Sequence, residues 1–308
     1  MANKNQPSGA AQGRAGAKAA RREAARAELR RVQAQQRRTR LLWTGVVVAV
    51  VVVIFGAVAL FGINHNGGSG AKTTAAGTKL EQTMGSIPAA TYNSRNVVLP
   101  SNPPKSLQGA TPLTEKGKPR VLYVGAEYCP YCAAERWAVV SALSRFGTFQ
   151  NLGRTTSSHV DVYPDTPTLS FHGSTYTSKY IAFKGYETQS NQVQGNSYAP
   201  LDQLSTGDGV VFDKYDFPPY VESKGAIPFI DFGGSYASQG ASYNPQLFSG
   251  KTQQQVADQI VDPSTDISKS VIGTANVFSA AICQLTHDQP SNVCKSPGVT
   301  AAASSLPH

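Results

Sequence analysis

Residues 121–132 read VLYVGAEYCPYC. The first four residues form a short, continuous apolar run, which is typical of a buried central strand. The next four turn out of this strand into a dithiol formed by Cys129 and Cys132. Residues 133–146 (AAERWAVVSALSRF) then show helical periodicity, and Gly147 supplies a C-terminal stop signal. The order strand, dithiol, helix therefore predicts that Cys129 lies at the N-terminus of the helix.

The spacing of the two cysteines suits thiol–disulfide exchange. A Cys-x-x-Cys motif at a helix start places both side chains on the first turn, where unpaired N–H groups and the helix dipole stabilise a thiolate. Pro130 fits this turn because its missing N–H would be unpaired anyway. We therefore assign catalytic roles to both cysteines, with Cys129 as the attacking nucleophile and Cys132 as the more buried, resolving thiol.

The Cys-x-x-Cys motif also occurs in sites with other chemistries. A structural zinc site needs four ligands, and Cys283, His287 and Cys294 could complete the set, but their spacing fits no established zinc pattern. Haem attachment requires a histidine after the second cysteine, where Ala133 stands. A purely structural bridge between the two cysteines of the motif stays open as an alternative. We expect no metal and no cofactor.

Residues 121–132 resemble the active-site strand and turn of thioredoxins, and Cys-Pro-Tyr-Cys is also the tetrapeptide of glutaredoxins. Ile227-Pro228, ahead of an apolar alternating stretch, is similar to the cis-proline of that superfamily, which packs beside the dithiol and presents backbone to substrate. The resemblance implies an α/β fold with a thioredoxin-like sheet and flanking helices. It adds Pro228 to the catalytic residues and implies that Ile227 and Tyr131 bind substrate.

From about Val121 to Cys294 the chain is similar to an uncharacterised, membrane-anchored thioredoxin-like family, domain of unknown function 929. That resemblance implies no particular substrate. Thioredoxins carry a buried Asp six residues before the first cysteine as a proton acceptor for the resolving thiol, but Tyr123 stands at this position. A fast reductase activity is therefore not carried over.

The distance along the chain to the second motif also departs from a minimal thioredoxin. Pro228 follows Cys132 by 96 positions. The excess includes the polar, turn-rich stretch 187–204, which we interpret as a long loop or insertion before the cis-proline strand.

The net charge of +9 belongs to one end of the chain. Residues 1–40 carry eleven basic and two acidic side chains, and the remainder is neutral. Leu41 to Phe61 follows without a charge and, at about 1.5 Å per residue, is long enough for a helix to span the ~30 Å hydrocarbon core. The positive-inside rule places the basic tail in the cytoplasm and the rest of the chain outside. We expect a single-pass cell-membrane protein and interpret the charge cluster as topogenic, with no nucleic-acid partner.

The C-terminal end of the predicted membrane span gives two further predictions. Ala57-Val58-Ala59 resembles a signal-peptidase site but lies inside the apolar run, so an uncleaved anchor is favoured. Residues 62–79, rich in Gly, Thr and Ala, predict a flexible linker. One extracytoplasmic domain is expected over residues 80–300, with its last two helices at Thr252–Val261 and Asp266–Leu285, and then a frayed tail at residues 301–308.

All four cysteines lie beyond the predicted membrane span, which indicates an oxidising compartment. A structural disulfide between Cys283 and Cys294 would close a ten-residue loop and stabilise the fold by about 2–3 kcal/mol. A second redox pair that relays electrons to the dithiol is the alternative.

These observations predict a membrane-anchored thiol–disulfide oxidoreductase that acts on protein thiols and disulfides, with a redox partner that the sequence does not identify. Its compartment favours an oxidase or isomerase role over a reductase. The alternatives are a non-catalytic binding protein with a stable bridge at the dithiol, and a redox sensor that signals through the basic tail. A flexible linker argues against the sensor because it transmits little conformational change.

Overall fold

The computed structural model describes residues 69–307, which form a mixed α/β structure. Its helices, in chain order, are α1 (Thr78–Gly85), α2 (Ala89–Tyr92), α3 (Pro130–Leu143), α4 (Thr206–Tyr215), α5 (Gln253–Val261), α6 (Asp266–Leu285), α7 (Ser291–Cys294) and α8 (Pro297–Ala302). Its strands are β1 (Thr74–Ala75), β2 (Lys105–Ser106), β3 (Thr114–Glu115), β4 (Lys118–Gly125), β5 (Gly147–Gln150), β6 (Gly153–Thr156), β7 (Pro167–Ser170), β8 (Thr175–Ser178), β9 (Ala182–Glu187), β10 (Gln189–Gln194), β11 (Ser197–Pro200), β12 (Phe229–Phe232) and β13 (Tyr236–Gln239).

Strand β4 is the centre of the main sheet. Because successive side chains of a strand point to opposite faces, its apolar run supplies two cores. Val121 and Tyr123 belong to the larger core with α3 and α6, and Leu122 and Val124 belong to the smaller core beside α4. The continuous apolar pattern is therefore that of a strand buried on both faces, as predicted.

The pairing of β4 brings the second motif to the dithiol. In the main sheet β4 pairs in parallel with β9 on one side and antiparallel with β12 on the other, and β13, β2 and β3 complete the sheet. The antiparallel register sets Phe229 opposite Val124. The start of β12 therefore lies beside the end of β4, where the dithiol turn begins.

Helix α3 is buried along its whole length apart from Tyr131. It packs against α6 and β7, so it shows little amphipathic pattern, as expected of a helix enclosed on several sides. The predicted last two helices are present as α5, which begins one residue later than expected, and α6.

The interpretation of residues 187–204 as a long loop is wrong. They contain the end of β9 and the antiparallel hairpin β10–β11. Gln194 pairs with Ser197, which leaves a two-residue Gly195–Asn196 turn in which Gly195 has a φ of 61°. This dipeptide is a known hairpin signal, but the strands beside it are polar and only partly buried, so they lack the apolar alternation that would have indicated them.

The linker predicted at residues 62–79 ends earlier than expected. The N–H of Gly70 donates to the carbonyl oxygen of Asn191 at 2.9 Å, and β1 pairs with β6. A Cβ at Gly70 would lie 2.7 Å from Nδ2 of Asn191, so the small residue there serves close packing. Amino-acid composition alone does not distinguish a glycine that packs closely, such as Gly70, from a glycine in a flexible linker.

The frayed tail predicted at residues 301–308 is also corrected. Helix α8 extends to Ala302, and a 3₁₀ turn at Ala303–Ser305 follows. Leu306 is only 3% exposed and belongs to the larger core. The burial of Leu306 fixes the position of this segment, although its small and polar residues predict a frayed end.

The predicted basic tail, residues 1–40, and the predicted membrane span, Leu41 to Phe61, lie outside the described residues. Within residues 69–307 no helix combines the length and apolar character that crossing a membrane requires.

Candidate active site

Cys129 is the N-cap of α3. Its backbone is extended and its Sγ accepts a hydrogen bond from the N–H of Cys132 at 3.3 Å, while Pro130 occupies the first turn. Burial opposes ionisation of this thiol, but the hydrogen bonds from Cys132 and the positive charge of Arg136 outweigh it and lower the pKa of Cys129. The predicted position of the first cysteine is therefore confirmed, and its surroundings favour a thiolate.

Cys132 is more deeply buried than Cys129, and its thiol is harder to ionise. Both thiols are free, but Cys132 is 0% exposed and Cys129 is 6% exposed. Burial raises the pKa of Cys132 well above its usual value, and its hydrogen bond to Cys129 adds to this effect. The pair thus consists of one thiol that ionises readily and one that keeps its proton.

Ile227 and Pro228 come directly before β12, the antiparallel neighbour of β4, and so lie beside the dithiol. The peptide bond between them is cis, as predicted, and Pro228 is buried. The carbonyl oxygen of Ile227 lies 3.9 Å from the Sγ of Cys129. The catalytic role of Pro228 and the substrate-binding roles of Ile227 and Tyr131 stay predictions, although Tyr131, at 42% exposed on the first turn of α3, is accessible.

A buried ion pair lies next to the dithiol and was missed by the sequence analysis. Arg136 of α3 and Glu187 at the end of β9 are both completely buried. The Nε of Arg136 donates to Oε1 of Glu187 at 2.7 Å, and its Nη2 donates to Oε2 and, at 2.7 Å, to the carbonyl oxygen of Ala126. This carboxylate raises the pKa of Arg136 against the effect of burial. Arg136 stands four residues after Cys132, a helical spacing that could have indicated its proximity.

A loop covers the other flank of the dithiol. In residues 158–165 the N–H of Ser158 donates to the carbonyl oxygen of Tyr128 at 2.8 Å. The ring of Tyr163 meets that of Tyr131 edge-on, with 5.9 Å between centroids. Asp161 of this loop opposes the ionisation of Cys129, so it counteracts Arg136.

The β10–β11 hairpin packs against the same flank of the dithiol. Tyr198 of β11 stacks on Tyr128 with ring centroids 4.3 Å apart, and its hydroxyl donates to Oγ of Ser158 at 2.6 Å. Its position beside Tyr128 depends on the β10–β11 hairpin, which the sequence analysis did not predict.

Glu127 connects the dithiol turn to the residues before β1, which lie in the predicted linker. Its Oε1 accepts hydrogen bonds from the hydroxyls of Thr73 at 2.8 Å and Ser170 at 2.6 Å, and its N–H donates to the carbonyl oxygen of Gln189. The residues before β1 therefore help to hold the turn that leads into Cys129.

Cys283 of α6 and Cys294 of α7 form a disulfide with 5.5 Å between their Cα atoms. This is the pairing expected from the sequence. It joins the end of α6 to the helix that follows it, and both sulfurs are buried in the larger core. Among residues 69–307 no cluster of three or more His, Cys, Asp or Glu side chains is arranged to hold a metal ion.

The described part of the chain is thus a mixed α/β protein that carries a free dithiol at the start of a buried helix. The chain belongs to the family described as Domain of unknown function (DUF929), which it matches over residues 107–203 and 206–284, more than half of its 308 residues. No curated protein and no solved structure matches this chain.

Proposed function

We propose that this chain is a thiol–disulfide oxidoreductase of thioredoxin-like architecture that acts on protein clients outside the cytoplasm. The position of Cys129 carries the proposal. A cysteine at a helix N-cap, with Cys132 N–H donating to its sulfur and a guanidinium nearby, is the arrangement that produces a reactive thiolate.

The arrangement of strands supports the finer fold assignment. The strand that leads into the dithiol has a parallel neighbour, β9, and an antiparallel neighbour, β12. The antiparallel register carries the residue before Pro228 to the sulfur of Cys129. A cis-proline packed beside the dithiol is what the resemblance to thioredoxins implies, and the segment between α3 and β12 is longer than in a minimal thioredoxin.

The two cysteines divide the reaction between them. The Cys129 thiolate attacks a client disulfide and forms a mixed disulfide, while one client sulfur leaves with the electron pair. Cys132 then loses its proton and attacks Cys129, which releases the second client sulfur as a thiolate and leaves a Cys129–Cys132 disulfide. The reverse sequence oxidises a client dithiol. The exposed side chain of Tyr131 and the backbone of Ile227 beside Cys129 would contact the client.

The membrane location is part of the same proposal. The apolar run Leu41 to Phe61 would anchor the chain, and the basic residues before it would remain in the cytoplasm. The disulfide between Cys283 and Cys294 supports an oxidising compartment for the domain that follows.

The test is disulfide exchange by the full chain in detergent micelles. We expect Cys129→Ser to abolish both the reduction of insulin disulfides and the refolding of a scrambled client. The matched control is Cys283→Ala/Cys294→Ala, which removes the other pair and should retain activity while it remains folded by circular dichroism. Full activity of Cys129→Ser would exclude this function.

The rival is a non-catalytic binding protein with a stable bridge at the dithiol. Titration of Cys129 separates the two, because a structural cysteine has no reason to ionise below the ordinary thiol pKa of about 8.5. The lowered pKa of Cys129 supports the enzyme.

A further inference from the structure

Tyr123 occupies the position at which thioredoxins carry a buried carboxylate, and its side chain is directed toward the dithiol turn. It is completely buried in β4. A Cβ at Gly125 would lie 2.5 Å from the hydroxyl oxygen of Tyr123, so the phenol extends along the strand beneath this glycine. Only a glycine at position 125 leaves room for the ring to reach the end of the strand.

Arg136 enters the same space from α3. Its guanidinium carbon lies 6.0 Å from the centre of the Tyr123 ring. Glu187 and the carbonyl oxygen of Ala126 occupy its Nε and Nη2. Its Nη1 is buried and has no hydrogen-bond partner among the described residues, and the same is true of the hydroxyl of Tyr123.

Both unpaired donors lie near the dithiol turn. Arg136 follows Cys132 by about one turn of α3, and the charge states of Tyr123 and Arg136 both interact with that of Cys132, as well as with that of Glu187. A buried donor without a partner is unfavourable in the resting protein. It is favourable when negative charge develops next to it, because a donor already in place needs no reorganisation at that moment.

We propose that the hydroxyl of Tyr123 and the guanidinium of Arg136 stabilise the negative charge on the Cys132 sulfur whenever that sulfur leaves or attacks. The inference rests on the proposed function and assigns two positioning residues to it. Tyr123 donates a hydrogen bond where a thioredoxin carboxylate accepts a proton. Burial raises the pKa of Tyr123 well above its usual value, so the phenol keeps its proton and cannot act as the base.

The step concerned is the opening of the Cys129–Cys132 disulfide by a dithiol. A thiolate of the dithiol attacks the sulfur of Cys129 and forms a new S–S bond. The bond to Cys132 breaks, and Cys132 leaves with the electron pair beside Tyr123 and Arg136. The second thiol of the dithiol gives its proton to Cys132 and displaces Cys129 as a thiolate. The dithiol has then lost two electrons and two protons; the electrons are on the protein, one proton is on Cys132 and the other is in solvent.

The experiment uses the oxidised full chain in detergent micelles, with dithiothreitol as the dithiol and thiol labelling after an acid quench as the readout. We expect Tyr123→Phe to slow reduction by dithiothreitol about tenfold and to slow re-oxidation by oxidised dithiothreitol by the same factor. The reduction potential should stay the same, because a group that stabilises the transition state acts in both directions. Alkylation of Cys129 in the reduced protein should keep its rate.

The matched control is Tyr92→Phe. The hydroxyl of Tyr92 is also buried and donates to α3, but at the carbonyl oxygen of Ser141, more than two turns from the dithiol. This variant should lose stability and keep both exchange rates. Arg136→Lys keeps the charge without the guanidinium fork and should slow both directions.

Unchanged exchange rates in Tyr123→Phe would overturn the inference, and so would an equal loss in Tyr92→Phe. Unchanged rates in Arg136→Lys would overturn the part assigned to Arg136. The proposed function is tested separately with a reduced, unfolded client protein. If the unmodified chain exchanges with dithiothreitol and with no client, the function fails and the inference stands. If it oxidises clients and Tyr123→Phe is as fast, the inference alone fails.

Discussion

The carbonyl oxygen of Ile227 lies 3.9 Å from the Sγ of Cys129, although 98 positions separate the two residues. The antiparallel register of β12 on β4 produces this proximity. In the proposed reaction a client sulfur that approached Cys129 would meet the backbone of Ile227.

The two cysteines should differ when a client is trapped. We expect Cys132→Ser to accumulate mixed disulfides between Cys129 and client proteins, because the thiol that resolves them is gone. Cys129→Ser should trap none. Non-reducing electrophoresis of membranes quenched with acid and alkylated would show the adducts. Trapping that required Cys132 would reverse the roles.

Asp161 should restrain the reactivity of the dithiol. Its carboxylate opposes ionisation of Cys129, so Asp161→Asn should lower the pKa of this thiol further and speed its alkylation by iodoacetamide in mildly acidic buffer. Asp165→Asn is the control on the same loop, since Asp165 pairs with His159 at 2.6 Å. Equal alkylation profiles for Asp161→Asn and the unmodified chain would contradict this electrostatic role.

The disulfide between Cys283 and Cys294 should contribute stability and leave exchange untouched. Closing a loop of this length stabilises a fold by about 2–3 kcal/mol. Cys283→Ala/Cys294→Ala should lose about that much free energy of unfolding in urea. Its insulin-reduction rate should remain that of the parent. A large loss of exchange in a folded variant would favour the electron relay.

Glu135 should make stability depend on pH. Burial raises the pKa of this α3 carboxyl to about 7, so the folded protein holds a proton that the unfolded chain releases near pH 4.5. The stability that it contributes is present below about pH 4.5 and is lost as the pH rises to about 7, on the order of 3 kcal/mol in total. Glu135→Gln should therefore gain stability relative to the parent over that range.

The measurement is the free energy of unfolding of both proteins from about pH 4.5 to pH 7.5. Asp216 and Asp231, whose pKa values burial raises to about 6, are present in both chains, so their contributions cancel in the comparison. Parallel curves for the two proteins would mean that Glu135 ionises normally.

Topology should follow the charge. A reporter that is active only outside the cytoplasm should be active when fused after Gly70. Protease added to intact cells should spare residues 1–40. The basic tail and the apolar run Leu41 to Phe61 are the reason for both expectations. An inactive reporter would remove the basis for an oxidising compartment.

Elements whose signals are local could be predicted from the sequence. Four apolar residues, a Cys-x-x-Cys motif and a helical pattern, adjacent in the chain, predict β4, the N-cap position of Cys129 and helix α3. The periodicity of α5 and α6 is equally local. These features depend on residues a few positions apart, because the hydrogen bonds of a helical turn and the burial of a continuous apolar run are specified locally.

The surroundings of the two sulfurs depend on contacts between residues far apart in the chain, and the sequence did not predict them. Arg136 meets Glu187 because β9 pairs with β4 in a register that sets Glu187 opposite Gly125. Asp161 reaches Cys129 because its loop binds to the dithiol turn. The glycine- and threonine-rich residues before Ala76 were predicted to be a linker, because composition does not distinguish a mobile segment from one that packs closely. Such contacts depend on which distant strands pair, and a strand's own residues specify burial and alternation but not its partner.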